Sequence, residues 1–168
     1  MDERNRRFAL RMIPYGVHLL SAVDDSGRPL VWTAHWVMQT SFTPPLVTVA
    51  VPVGTAIYAA IRATNRFALH MLGKEDAAEA FAFQTRPAEV EGNTLSGWGF
   101  AWSDSGLPLL HDAPAVLECA VRGVMEFGDH HPIMAAITEV HMRLPELDRP
   151  DKMILHLAEM GETIFYGG

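Results

Sequence analysis

The stretch from Val116 to Met142 constrains the fold most. Two long extended segments, Val116 to Glu126 and Ile133 to Met142, are separated only by Phe127-Gly128-Asp129-His130-His131-Pro132. Both segments are rich in β-formers, and the link holds turn-forming and polar residues, so the pair reads as an antiparallel hairpin with a polar tip. The other segments fit that commitment. Gly16 to Val23 reads as a strand closed by the turn Asp24-Asp25-Ser26-Gly27, and Leu30 to Trp32 resumes extended chain. Leu46 to Val51, bounded by Pro44-Pro45 and Pro52, reads as a buried strand, and Phe67 to Leu72 as another.

Helical spacing predicts short helices only. One runs from near Asp2 to before Pro14, with Phe8, Ala9, Met12 and Ile13 on its apolar side. A second covers Thr55 to Thr64, with Thr55 as N-cap and Ile57, Ala60 and Ile61 inward. A third covers Lys74 to Phe83, with Ala77, Ala80 and Phe81 inward. Gln84 to Pro114 holds Gly92, Gly97, Gly99 and Gly106 with Pro87, Pro108 and Pro114, and reads as a long surface excursion with short pieces of structure. Met153 to Leu157 and Ile164 to Tyr166 read as closing extended segments. The sum is five to seven strands without regular strand–helix alternation. That predicts a mostly β, α+β chain: a closed or nearly closed antiparallel barrel carrying short helices, in one domain over 1–168.

Composition narrows the function. The chain is 49% apolar and 20% charged with net charge −7, which argues against a nucleic-acid or anionic-membrane partner. Its charged start and lack of a long apolar run predict neither a signal peptide nor a membrane helix, and the single cysteine, Cys119, predicts a cytoplasmic protein. Lys74 and Lys152 are the only lysines, and both sit in charged runs, so lysine-based catalysis is not expected. No closed Cys/His set points to a metal, and there is no Walker loop, Gly-x-Gly-x-x-Gly or Gly-x-Ser-x-Gly.

Three segments carry candidate chemistry. Thr33 to Pro45 mixes polar and bulky apolar residues and ends in a rigid Pro-Pro. Such a run can present backbone groups to a planar heterocycle with Trp36 or Phe42 along it, or it can be a barrel crossover whose aromatics fill the core. Gly54-Thr55 opens a helix, where free N–H groups and a hydroxyl make either an anion site or an ordinary cap. At the hairpin tip, Asp129 can fix the tautomer of an imidazole and leave its other nitrogen for a substrate. The neighbours His130 and His131 face opposite sides of a strand, so they are poor joint metal ligands.

In order, these pieces resemble the flavin reductase-like family, the FMN-binding split barrels. Pro14-Tyr15-Gly16-Val17 resembles the family's Pro-x-Gly-Val. Thr33-Ala34 followed by Ser41-Phe42-Thr43-Pro44-Pro45-Leu46 resembles its Thr-Ala…Ser-x-x-Pro-Pro-Leu. Phe67 to Leu72, Pro108-Leu109-Leu110, Leu117-Glu118-Cys119, Gly128-Asp129-His130 and the closing Tyr166-Gly167-Gly168 are also similar. The resemblance implies a mostly β, antiparallel Greek-key split barrel that forms a homodimer with one FMN per subunit. It implies that Thr33, Ala34, His35, Trp36, Val37 and Gln39 line the isoalloxazine, with Ser41 nearby. Gly54, Thr55 and Ala56 would lie near the phosphate, and His130 where a nicotinamide docks. The implied reaction is hydride transfer from NADH or NADPH to flavin, with reduced flavin or electrons passing to a partner such as a monooxygenase. A non-catalytic carrier of FMN, or of haem held by His35 or His130, is the alternative on the same barrel. The chain departs from the family pattern at His35-Trp36, where a small polar pair is commoner, and at His70, where Asn is common.

Overall fold

The computed structural model of the chain describes residues 1–85, 87–144 and 149–166. The elements in chain order are α1 (Glu3–Arg11), β1 (His18–Val23), β2 (Pro29–Ala34), β3 (Val37–Ser41), β4 (Leu46–Pro52), α2 (Ala56–Thr64), β5 (Arg66–Met71), α3 (Ala77–Thr85), β6 (Val90–Glu91), β7 (Thr94–Leu95), β8 (Trp98–Trp102), β9 (Pro108–Leu110), β10 (Ala115–Val124) and β11 (His130–Met142).

One sheet has seven strands in the order β2-β1-β5-β10-β11-β4-β3, and every pair in it is antiparallel. Its two edge strands, β2 and β3, are consecutive in the chain and joined by His35 and Trp36 alone. A joint of two residues spans at most about 11 Å. The sheet must therefore curl until its edges meet at that corner, which makes it a barrel split along the rest of the seam. Strands β4 and β5 lie on opposite sides of the β10–β11 pair, so the chain crosses over through α2 in a Greek-key path.

Alternation decides what fills the barrel. Along β4 the inward Val47, Val49 and Val51 are buried, while Leu46, Thr48, Ala50 and Pro52 face out. They pack with Leu20, Phe67, Leu69 and Ile133 and with Ile57, Ala60 and Ile61 of α2. Thr55 starts α2: its Oγ1 accepts the Tyr58 N–H at 3.3 Å. Strand β1 is buried on both faces because Val17 and Leu19 pack into a second core with Phe83 of α3, Trp98 and Leu110.

The structure departs from several expectations. The short pieces of structure expected within Gln84 to Pro114 form a four-stranded sheet, β6-β7-β8-β9, which buries Leu95, Trp98, Phe100 and Leu110, so the stretch is not confined to the surface. Gly97 and Gly106, at φ +90° and +80°, supply left-handed turns between its short strands. Helix α3 turns Phe83 inward rather than Phe81, which is 47% exposed. Helix α1 forms, but none of its residues is buried among the described residues, and its contacts are peripheral, such as Arg11 over the Phe165 ring at 4.2 Å. In the closing segment, Gly16–His156 and Gly73–Ile154 are single antiparallel bridges, and Ile164 to Tyr166 form no strand.

His70 is fully buried at the seam of the two cores. Its Nε2 accepts the Leu110 N–H at 3.2 Å, which makes Nδ1 the donor to the Leu19 carbonyl at 3.2 Å. The departure at this position is thus spent inside the core, tying β5 to β1 and β9.

Candidate functional site

The three segments singled out in the sequence meet at one end of the barrel. The β2–β3 joint puts Trp36 beside β4, where its carbonyl accepts the Ala50 N–H at 3.0 Å. His130 opens β11 opposite Pro52, and the Val53 N–H donates to the Asp129 carbonyl at 2.9 Å. The hairpin tip is thereby fastened to the turn that leads into α2. Across this end the Trp36 and His130 rings lie 4.6 Å apart between centroids.

The histidine is held from both sides. Its Nδ1 lies 2.9 Å from Asp129 Oδ1, and its Nε2 lies 2.6 Å from the Tyr166 hydroxyl. The bond from His130 holds the Asp129 carboxyl below the usual carboxylate range. Burial, with the Asp129 charge nearby, pushes the Tyr166 hydroxyl up. The carboxylate therefore accepts from Nδ1–H, and the tyrosine donates to Nε2. The Tyr166 ring also stands 4.4 Å from His35 and 5.3 Å from Trp36.

Beneath this cluster the wall contains polar atoms without partners. His35 is 2% exposed, and among the described residues neither of its ring nitrogens has a hydrogen-bond partner. Gln84 and the Gly16 backbone lie beside it without a bond of proper geometry. Trp36 Nε1, Gln84 Oε1 and His18 Nδ1 are likewise buried and unpaired. Burial lowers the His35 imidazole to about 4, and burial with His35 and His156 nearby lowers His18 to about 4. Both rings are neutral near pH 7. Buried polar atoms are seldom left unpaired unless a ligand or water completes them.

A cavity of about 330 Å³ opens beside the start of α2, lined by Arg28, Trp32, Thr55, Ala56, Gln84 and Pro87 among others. Its walls combine a cation, an aromatic ring and the first turn of a helix. That combination can hold an anion joined to an apolar body.

The sequence-derived residues divide into three groups. His35, Trp36, His130, Gly54, Thr55 and Ala56 lie at this end of the barrel. Thr33 and Ala34 are buried wall: Thr33 Oγ1 donates to the Ala80 carbonyl at 2.7 Å, and Ala34 is in the barrel core. Val37 packs against the core, while Gln39 and Ser41 run away along β3 to pair with Val47 and Leu46. The Gln39 amide donates to the Ser41 carbonyl at 3.2 Å. The Thr55 hydroxyl is also committed, donating to the Pro52 carbonyl at 2.8 Å. The anion-binding capacity of this turn therefore rests on backbone N–H groups and on Arg28.

Comparison with known proteins bears on this arrangement. The flavin reductase like domain matches residues 10–159. The chain belongs to the flavin reductase like family. It is 30% identical over 135 residues to the NADH:riboflavin 5'-phosphate oxidoreductase of Streptomyces pristinaespiralis, covering 80% of this chain and 74% of that one. It is 29% identical over 137 residues to the stachydrine N-demethylase reductase subunit of Rhizobium meliloti, covering 82% of this chain but 58% of that longer protein. Among solved structures it resembles a Streptomyces globisporus NADH:FAD oxidoreductase, with a TM-score of 0.72 at 25% identity over 85% of this chain and 86% of that one.

Sequence reasoning on this family member missed Arg28, Gln84 and Tyr166. Arg28 and Gln84 carry no motif and reach the cavity only through the packing of β2 against α3. Tyr166 belongs to a recognised closing motif, but its bond to a residue 36 positions away is a tertiary fact. Gly167 and Gly168 of that motif lie outside the described residues.

Proposed function

We propose that this protein is an NAD(P)H-dependent flavin reductase that binds FMN at the barrel end formed by the β2–β3 joint, the start of α2 and the β10–β11 tip. The observation that carries this reading is the unpaired His35 and Trp36 polar atoms beside the His130–Asp129 pair, in a chain of the flavin reductase like family. The fit is chemical. A flavin ring is planar and apolar in its body with polar atoms along one edge, and the wall offers aromatic surface with unpaired donors and acceptors. Its phosphate suits the first turn of α2 with Arg28, whose guanidinium also lies 3.5 Å from Asp24.

Bound flavin supplies the hydride-accepting chemistry. The chain's residues position and polarise. His35 and Trp36 contribute polar atoms to the ring edge and exclude water beneath it. His130, with Nδ1–H fixed on Asp129, turns Nε2 toward an incoming nicotinamide as a hydrogen-bond acceptor for its carboxamide. No side-chain acid or base is required for hydride transfer itself.

The working unit in this reading is a homodimer. From Val37 through Pro52 the chain carries no charged residue, yet this run includes the edge strand β3. Edge strands are normally protected by charge, and an uncharged one is protected when another chain covers it. Met38, Thr48, Met134 and Gly123 form one row across β3, β4, β11 and β10, with Met38 61% and Met134 38% exposed. A second copy of this chain fits that row. Reduced flavin passes to a partner oxygenase, as the reductase-subunit relative suggests. Cys119 is buried and its thiol is pushed up to about 12 by that burial, so the protein needs no oxidising compartment and we place it in the cytoplasm.

The test is NADH or NADPH consumption with added FMN, alongside the visible spectrum of the purified protein. Nicotinamide loss well above the buffer rate supports the reading. A haem-type Soret band with no nicotinamide loss overturns it in favour of a haem carrier.

A further inference from the structure

The contact between Tyr166 and His130 carries an inference beyond flavin reduction, and it rests on that reading of the site. The Tyr166 hydroxyl takes the one nitrogen of His130 that Asp129 leaves free. Its ring covers His35 and Trp36 at 4.4 and 5.3 Å. Any molecule that contacts His130 Nε2 must first move this side chain.

The arrangement satisfies only part of what lies under it. Tyr166 gives its single hydroxyl proton to His130, while both His35 nitrogens and Trp36 Nε1 stay buried and unpaired. A carboxamide carries both a donor and an acceptor. It can replace the hydroxyl at Nε2 and still offer a partner to the groups beneath. Tyr166 packs against the edge of the second core, but it lies in an irregular segment outside every strand and helix, and its neighbour Phe165 is 54% exposed. Such segments open locally at low cost.

We propose that Tyr166 gates the site: its hydroxyl holds the place of the nicotinamide carboxamide on His130, and the dinucleotide binds by displacing it. Tyr166 is thus a positioning residue that sets affinity for the nicotinamide substrate rather than the rate of hydride transfer. Tyr166→Phe removes the competing bond and keeps the ring, so it should lower KM for NADH several-fold. Tyr166→Ala should do the same and also expose Trp36 to a soluble quencher.

The decisive readout is independent of turnover. In protein labelled with 3-fluorotyrosine, the Tyr15, Tyr58 and Tyr166 signals are assigned by single Tyr→Phe changes. Saturating NADH should move the Tyr166 signal to a solvent-exposed position and leave the Tyr58 signal in place. A Tyr166 signal unchanged while NADH is oxidised normally would overturn the gate and leave the flavin reductase reading intact. A raised KM with reduced kcat in Tyr166→Phe would also overturn it, because the tyrosine would then support His130 instead of blocking it. Absence of NADH binding and oxidation in the wild type overturns both.

Discussion

Burial gives the histidines of this chain different work. His70 is spent on two backbone groups, and burial lowers it to about 3; His18 is lowered to about 4 by burial and by two neighbouring histidines. Both are neutral in the folded chain, but they take up a proton near pH 6.5 once unfolded. As pH falls below 6.5 the unfolded state binds protons that the native state refuses, so stability drops. The loss continues toward pH 4 for His18 and pH 3 for His70. Each contributes about 1.4 kcal/mol per pH unit in that window. His35, which burial also lowers to about 4, adds to the same loss, so urea unfolding should give a stability lower by several kcal/mol near pH 5 than near pH 7.5, before most carboxylates titrate. Equal stability at the two pH values would show that these imidazoles are accessible to protons in the native state. The sequence showed His70 only as a departure from a motif. Its role was not legible because its partners, Leu19 and Leu110, come from distant strands.

At the scale of elements, the joint between β2 and β3 organises the molecule. Two residues close the barrel and carry the unpaired polar atoms of the site, so the closure and the site share one corner. Strands β1, β2, β4, β5, β10 and β11, the hairpin and α2 with its Thr55 cap were legible from period and turn chemistry, whereas β3 lies in the Thr33 to Pro45 run, which does not alternate cleanly. The β6–β9 sheet was not, because its strands are short and its glycines resemble loop punctuation. The role of Thr55 was half legible. It caps α2, but its proton goes to the Pro52 carbonyl and is not available to a phosphate. Thr55→Ala should accordingly cost about 1 kcal/mol in urea unfolding and leave FMN affinity within about twofold. Arg28→Ala should weaken FMN several-fold with little change in stability. The reverse pattern in a fluorescence titration of FMN would return the phosphate to the Thr55 hydroxyl.

For the whole molecule, the charge-free run from Val37 to Pro52 is the ground for the proposed second copy. Sedimentation should find twice the 18.6 kDa chain mass, and Met134→Glu should halve it by placing a charge in the middle of the uncovered row. A wild-type monomer at micromolar concentration would remove the dimer. Family, fold and the three meeting segments could be read from the order of motifs. The positions of Arg28, Gln84 and Tyr166 beside these segments could not, since only the closed barrel brings them there. The proposed activity is hydride transfer from a nicotinamide to flavin, accelerated at this barrel end. Rapid anaerobic mixing of NADH with protein and FMN tests it most directly. The flavin visible absorption should bleach far faster than in buffer, and His130→Ala should slow the bleaching about tenfold or more while still binding FMN. Bleaching at the buffer rate with both NADH and NADPH would contradict the account.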